Sequence, residues 1–129
     1  MTLIDTSVWI DHFRSDNRLL CAMLDEERVL THPFVVGELT CGSLRNRMRI
    51  LTDLGALPAA RTATHEDVLH LIEDRKLWGK GIGWIDAHLL AAALISDCRL
   101  WSLDRALMRA ATAVGVKSAK FDEREKSEA

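Results

Sequence analysis

Four acidic residues lie within or directly after apolar stretches, where a carboxylate is unusual: Asp5, Glu38, Asp86 and Asp104. Asp5 and Asp104 each follow a short apolar segment that is typical of a buried strand. Glu38 and Asp86 interrupt apolar segments of helical length, where an unpaired carboxylate is unfavourable to bury. Taken alone, each could be a helix cap or a solvated side chain. Their joint occurrence indicates a clustered acidic site.

A cluster of carboxylates needs a compensating positive charge. Two like charges about 4 Å apart repel by about 4 kcal/mol at an effective dielectric constant near 20. No basic residue neighbours all four acids in the sequence. A divalent cation is the simplest compensation, and an all-oxygen ligand set suits Mg²⁺ or Mn²⁺ better than zinc. Because such ions activate water and hold phosphoryl groups, the residue types predict metal-assisted hydrolysis.

Short apolar strands alternate with helical segments along the chain. Strands are predicted at residues 2–4, 28–31 and 99–103, with weaker candidates at 57–60 and 115–121. The helices include one that opens with a capping box at Thr64 and Asp67 and runs through Trp78, and an alanine-rich one from Trp84 to Ser96. This order predicts an α/β fold with a mainly parallel central sheet of four to five short strands flanked by helices. Ligands of such folds bind at the carboxyl ends of strands.

The length of 129 residues is that of one domain. We predict a folded domain over residues 1–121 and a charged, frayed tail over 122–129. The sequence contains neither an export signal nor an apolar run long enough to cross a bilayer, so we expect a cytoplasmic protein.

The formal net charge of −2 hides an uneven distribution. The tail contributes −2 and the four acids contribute −4, which leaves +4 on the remaining residues. This charge distribution permits an anionic substrate without requiring one.

Three widely spaced cysteines and five histidines form no zinc-binding pattern.

The four acids lie in motifs at residues 5–11, 36–39, 81–90 and 100–104. This ordered set resembles the PIN-domain nucleases and is most similar to the VapC-type toxins of bacterial toxin–antitoxin pairs. The resemblance extends over nearly the whole chain, to about Val116. It implies a single PIN-like domain that acts as a Mg²⁺- or Mn²⁺-dependent endoribonuclease and cleaves RNA by metal-activated water. It also implies a homodimer that a cognate small antitoxin inhibits.

The resemblance assigns roles to the site residues. The four acids would surround the metal, with Asp5, Asp86 and Asp104 as its main ligands and Glu38 completing the cluster. Thr6 or Ser7, which match the hydroxyl positions after the first acid of the family, would support the site by hydrogen bonding.

The antitoxin is expected to insert a basic side chain among the four acids. It would also cover an apolar groove beside residues 8–24, where Trp9, Phe13 and Leu20 are candidate contacts.

Further residues suit RNA binding, each with a simpler explanation. Four arginines are candidate phosphate contacts, although a solvated helix face is the favoured explanation for any one of them: Arg45, Arg47, Arg49 and Arg105. Trp9, Trp84 and Trp101 could stack on bases, but their apolar surroundings favour core positions.

Two other functions also use clustered carboxylates. An aspartyl-phosphate phosphatase typically has a second Asp two residues after its nucleophile, and this chain has Ser7 there. A non-catalytic module, whose acidic pocket receives a basic peptide, stays open because such a partner would use the same carboxylates.

Overall fold

The structure is a computed structural model that describes residues 1–119. These residues form a three-stranded sheet and seven helices. In chain order the elements are β1 (Thr2–Ile4), α1 (Thr6–Ser15), α2 (Arg18–Asp25), β2 (Val29–Leu30), α3 (Pro33–Cys41), α4 (Arg47–Ala56), α5 (His65–Arg75), α6 (Trp84–Ser96), β3 (Arg99–Trp101) and α7 (Arg105–Ala113).

The sheet is parallel, with the strand order β2-β1-β3. Leu3 and Ile4 of the central strand β1 are fully buried, as expected for a parallel sheet that is covered by helices. Ile4 at the end of β1 pairs with Trp101 at the end of β3. The residues that follow these two strands therefore meet at one edge of the sheet.

The expectation of four to five strands is wrong for residues 1–119, which form three. The two weaker candidates each contribute a single parallel bridge, Thr31 with Ala59 and Leu100 with Ser118. At the first bridge, Thr31 donates to the carbonyl of Pro58 and Ala60 donates to that of Thr31, and regular pairing stops there. Proline has no backbone N–H, which limits pairing through that segment. Residues 120 and 121, and the predicted tail 122–129, lie outside the described residues.

Local signals fix the helix boundaries. The capping box at Thr64 is present, because the Thr64 hydroxyl accepts from the backbone of Asp67 at 3.1 Å and the Asp67 carboxylate accepts from that of Thr64 at 3.4 Å. Helix α5 ends at Arg75, before the expected Trp78, because Lys76 adopts a left-handed conformation with φ 54°. The capping prediction is confirmed, and its far boundary is corrected by three residues.

Helix α6 occupies the centre of the core, with every residue from Ala87 to Ala93 buried. It runs from Trp84 to Ser96 as predicted. Within residues 1–119, neither this helix nor any other is long and apolar enough to cross a membrane.

Candidate active site

Asp5 is buried at the carboxyl end of the central strand, with 7% of its surface exposed. Its backbone N–H donates to the Trp101 carbonyl at 2.9 Å, which continues the pairing of β1 with β3. Its Oδ2 atom accepts hydrogen bonds from the hydroxyls of Ser7 at 2.8 Å and Ser102 at 2.6 Å. Although Asp5 is the N-cap residue of α1, its carboxylate accepts no capping hydrogen bond. Helix capping therefore does not explain this side chain.

Ser102 is a site residue that the sequence prediction missed. It is 6% exposed, and besides donating to Asp5 its hydroxyl accepts from the backbone N–H of Asp104 at 3.0 Å. Ser7 is placed in a similar way, because its hydroxyl accepts from the backbone of Leu103 at 2.9 Å. The available signal was a hydroxyl residue at the end of a predicted strand, two positions before an acid. Pairing that strand with β1 would have placed Ser102 beside Asp5.

Asp104 caps a helix and lies at the sheet edge that follows β1 and β3. Its Oδ1 atom accepts from the backbone N–H of Leu107 at 3.1 Å and so caps α7. The side chain is exposed at the same sheet edge as Asp5. Capping uses one oxygen of this carboxylate and leaves the other available to a ligand.

Glu38 reaches the site from α3. Its Oε1 atom accepts a 2.8 Å hydrogen bond from the hydroxyl of Thr6, the first residue of α1. This bond joins two neighbouring helices and directs the exposed Glu38 side chain toward the residues that follow β1. Thr6 and Ser7 thus each contact a different acid of the predicted site.

Asp86 shows that the acids interact electrostatically. Its pKa is raised, mainly because burial disfavours the charged form, while a 3.0 Å hydrogen bond from the backbone of Gly83 acts in the opposite direction. The negative charges of Asp5, Asp104 and Glu38 raise the pKa of Asp86 further. The structure therefore places Asp5, Glu38 and Asp104 close enough to Asp86 for their charges to act on it, although Asp5 and Asp104 are 99 positions apart in the sequence.

The four carboxylates share one hydrogen-bonding pattern. In each, a single oxygen accepts from protein donors: Oδ2 of Asp5, Oε1 of Glu38, Oδ2 of Asp86 and Oδ1 of Asp104. The other oxygen of each accepts no hydrogen bond from residues 1–119. Each carboxylate is thus oriented through one oxygen and free to bind a ligand through the other.

Compensating cations are absent from this cluster in the described part of the chain. The ion pairs found there join Arg28 with Glu26 and Arg75 with Asp74, and none includes a site acid. In the same residues, no three acidic, histidine or cysteine side chains already lie close enough to hold one metal ion. The site is therefore an uncompensated acidic cluster whose side chains have yet to converge on a common ligand.

The candidate RNA-binding arginines differ in their surroundings. All four are exposed, as a solvated helix face would be. Arg45 lines a cavity that Glu38 also lines. The guanidinium of Arg47 donates to the carbonyl of Gly42 at 3.2 Å, within the connection between α3 and α4. Arg105 directly follows Asp104 at the start of α7.

Several apolar predictions need correction. Trp9 and Leu20 are 3% and 0% exposed, so they belong to the core and cannot contact a partner in a surface groove. Trp84 was expected in the core but is 37% exposed, with its ring packed edge-on against His88 at a centroid distance of 4.7 Å. Both errors arise because an apolar helical stretch does not by itself show which of its faces the neighbouring elements cover.

Comparison with known proteins identifies the family of this chain. Residues 2–113 match the PIN domain family, and the chain belongs to that family. The chain is also 40% identical over 121 residues to Ribonuclease VapC32 of Mycobacterium tuberculosis strain CDC 1551 / Oshkosh, and the match covers 93% of this chain and 98% of the relative. The same values apply to Ribonuclease VapC32 of strain ATCC 25618 / H37Rv. The resemblance to VapC-type PIN nucleases is therefore confirmed.

Proposed function

We propose that the protein is a divalent-metal-dependent endoribonuclease and the toxin component of a toxin–antitoxin pair, acting on RNA in the cytoplasm. The observation that carries this proposal is the set of four carboxylates, each oriented through one oxygen and free at the other. The ribonuclease name of the 40% identical relative supports RNA as the substrate.

The donor set fits Mg²⁺ or Mn²⁺, because both ions prefer oxygen ligands. Asp5, Asp86 and Asp104 would hold the ion, which when bound supplies charge neutralisation for the phosphate and activation of water. Because the acids do not yet converge, binding requires side-chain rotation, which is available to the exposed Asp104 and Glu38. An ion would also relieve the repulsion that raises the pKa of Asp86.

The protein's own residues would position the reaction. The hydroxyls of Ser7 and Ser102 hold the Asp5 carboxylate in one orientation. Thr6 holds Glu38, whose free oxygen can accept a proton from the attacking water or orient it.

Two partners belong to this proposal. A small antitoxin would neutralise the acidic site, and a second copy of the chain would form a homodimer. Large apolar side chains on α5 and α6 support the second proposal, since Leu69, Leu94 and Ile95 are 38% to 46% exposed. Sedimentation or light scattering at several concentrations tests the dimer, and a monomer throughout would contradict it.

Cleavage of total RNA by the purified protein tests the function. We expect cleavage with Mg²⁺ or Mn²⁺ and none with chelator. Asp5→Asn and Asp86→Asn should abolish cleavage, because each removes a charge that the ion requires but almost no volume. Asp53→Asn is the matched control, since it makes the same chemical change at an exposed position of α4.

Two outcomes would contradict the proposal. Undiminished cleavage by either site variant would remove that residue from the mechanism. A wild-type protein that binds metal but cleaves no RNA would instead favour the non-catalytic module that receives a basic peptide.

A further inference from the structure

A cavity of about 900 Å³ adjoins the acidic site. It lies between α1 and the connection from α3 to α4, and Glu38 lines it as well as belonging to the four-acid cluster. A ligand that fills the cavity therefore extends to the proposed reaction centre. Its volume is within the range of about 300–1,000 Å³ that is usual for ligand pockets.

The lining combines cationic and apolar side chains. Arg14 and Arg45 supply two guanidinium groups, and neither forms an ion pair with residues 1–119. Besides Glu38, the lining contains one carboxylate, that of Asp16. The two guanidinium groups and the two carboxylates leave the lining as a whole without net charge, so the positive charge is confined to the part of the cavity that Arg14 and Arg45 line.

An aromatic ring of fixed position also lines the cavity. Phe13 stacks on the buried Trp9 with ring centroids 5.9 Å apart and an interplanar angle of 28°. Leu44 and Ile50 add apolar surface to the lining. A ring held in this way can accept a flat ligand without first losing side-chain freedom.

The segment that carries Arg45 is held by its neighbours. Arg47 donates to the carbonyl of Gly42 and so closes the connection between α3 and α4. Asn46 adopts a left-handed conformation with φ 54° directly before α4 begins. The Arg47 side chain is thus used in a local hydrogen bond, and Arg45 is the arginine of this segment that lines the cavity.

We propose that this cavity binds the nucleotide next to the cleaved phosphodiester of a single-stranded RNA. Arg14 and Arg45 bind its phosphate, because guanidinium groups pair with phosphate oxygens through two hydrogen bonds. Phe13 and the neighbouring apolar side chains contact its base. This assignment rests on the proposed ribonuclease function.

A segment of another protein is the second kind of ligand that suits a cavity lined by apolar and cationic side chains. RNA is favoured because Glu38 is shared with the acidic cluster, and a substrate must extend into that cluster to be cleaved. The guanidinium groups of Arg14 and Arg45, which form no ion pair within residues 1–119, also suit a phosphodiester backbone, which has a negative charge at every nucleotide.

The test compares the double variant Arg14→Ala/Arg45→Ala with Arg61→Ala, which removes an exposed arginine outside the cavity. The probe is a mixed-sequence 12-nucleotide RNA with Mn²⁺, assayed for cleavage and, by fluorescence anisotropy, for binding at several salt concentrations. We expect KM to rise about tenfold or more in the double variant while kcat changes little, because contacts to a phosphate that is not the one cleaved bind ground and transition states alike. The slope of log affinity against log salt should fall by about 0.7, the value for one neutralised phosphate of a single strand.

The outcomes separate this proposal from the one on which it rests. A double variant with the KM, affinity and salt slope of Arg61→Ala would overturn the assignment and leave the cavity to a protein partner. A wild type that cleaves no RNA would contradict the proposed function, while the anisotropy comparison would still decide whether Arg14 and Arg45 bind RNA. The conservative pair Arg14→Lys/Arg45→Lys should restore most of the salt slope, because it keeps both charges.

Discussion

The hydroxyl of Ser102 donates a 2.6 Å hydrogen bond to Oδ2 of Asp5, although 97 positions separate the two residues in the sequence. The bond forms because β1 and β3 pair in parallel up to Ile4 and Trp101. Asp5 and Ser102, the residues that follow this last pair, therefore lie side by side. The same hydroxyl accepts from the backbone of Asp104. One buried hydroxyl thus fixes the relative positions of two acids from opposite ends of the chain.

Ser102→Ala should reduce both stability and activity. The change leaves the Asp104 N–H without its acceptor and removes one of two donors to the buried Asp5 carboxylate. We expect the free energy of unfolding to fall by about 1–3 kcal/mol, as for loss of a buried polar partner. RNA cleavage should fall about 10–100-fold, which is typical when a group that orients a metal ligand is lost.

Urea denaturation and cleavage rates check this prediction. Ser15→Ala is the matched control, because it removes an exposed hydroxyl whose contact is a 3.3 Å bond within α1. Ser102→Thr, which keeps the hydroxyl, should retain more activity than Ser102→Ala. Equal activity of Ser102→Ala and Ser15→Ala would show that Ser102 does not position the acids.

Asp86→Asn should stabilise the metal-free protein at neutral pH. Because the pKa of Asp86 is raised by burial and by the other three acids, its charged form opposes folding above that pKa. The folded state binds more protons than the unfolded state between the unperturbed pKa of 3.8 and the raised value, so this contribution to stability falls as pH rises through that range. Thermal denaturation in chelator should show a higher melting temperature for Asp86→Asn than for Asp53→Asn at pH 7, and no such difference near pH 3. A lower melting temperature at pH 7 would contradict the electrostatic explanation.

The sequence predicted the strand–helix order and the four acids because their signals are local. Asp5 and Asp104 follow apolar strands, and Glu38 and Asp86 interrupt apolar helices, so residue type and position were enough to single them out as candidates, and their role in a metal site stays a prediction. Ser102 was missed because its role depends on the register of β1 against β3, which no local pattern records. The same limit explains Trp84, whose exposure depends on how α6 packs against α3 and α5.

The predicted number of strands was wrong for a related reason. The segments around Ala59 and Ser118 have some strand character, yet each pairs through one bridge only. Whether such a segment forms a strand depends on how far it runs beside the sheet edge, which is a property of the whole fold. The cavity beside Glu38 could not be predicted from the sequence either, because its lining comes from three segments of the chain.

His32 should make the folded protein sensitive to acid. Its pKa is lowered to about 4, mainly by burial and also by the nearby His88. Its Nδ1 atom accepts from the backbone of Phe34 at 3.0 Å, and its buried Nε2 atom has no partner in residues 1–119. Between pH 6.5 and about 4 the unfolded state binds more protons at this residue, so stability is lost as pH falls through that range.

His32→Asn tests this contribution, because asparagine keeps an acceptor for the backbone of Phe34 but does not titrate. Urea denaturation of the metal-free protein should show a shallower loss of stability from pH 6.5 to 4 in this variant, by up to about one bound proton. His70→Asn removes an exposed histidine of α5 and should keep the wild-type slope. Parallel pH profiles for wild type and His32→Asn would contradict the prediction, whatever the absolute stability of the variant.

An antitoxin that neutralises the site should do so by inserting a guanidinium group among the four carboxylates. The site suits such a group, because each acid keeps one oxygen free of hydrogen bonds from residues 1–119 and none is paired with a cation there. A guanidinium stays charged and pairs with carboxylates through two hydrogen bonds, so it can replace the charge of the metal. Production of the protein alone should arrest growth, and co-production of a small protein encoded beside it should relieve the arrest.

Binding of that purified partner to two forms of the protein decides the mode of inhibition. One form is the wild type, and the other carries Asp5→Asn, Glu38→Gln, Asp86→Asn and Asp104→Asn together. We expect the affinity to fall at least tenfold in the second form, because an inserted cation would lose every charge that it pairs with. A variant with Asp25, Asp53, Asp74 and Asp97 changed to Asn controls for net charge at exposed positions. If the affinity were the same for all three proteins, the partner would act from a surface away from the acids, and an inserted guanidinium would be ruled out.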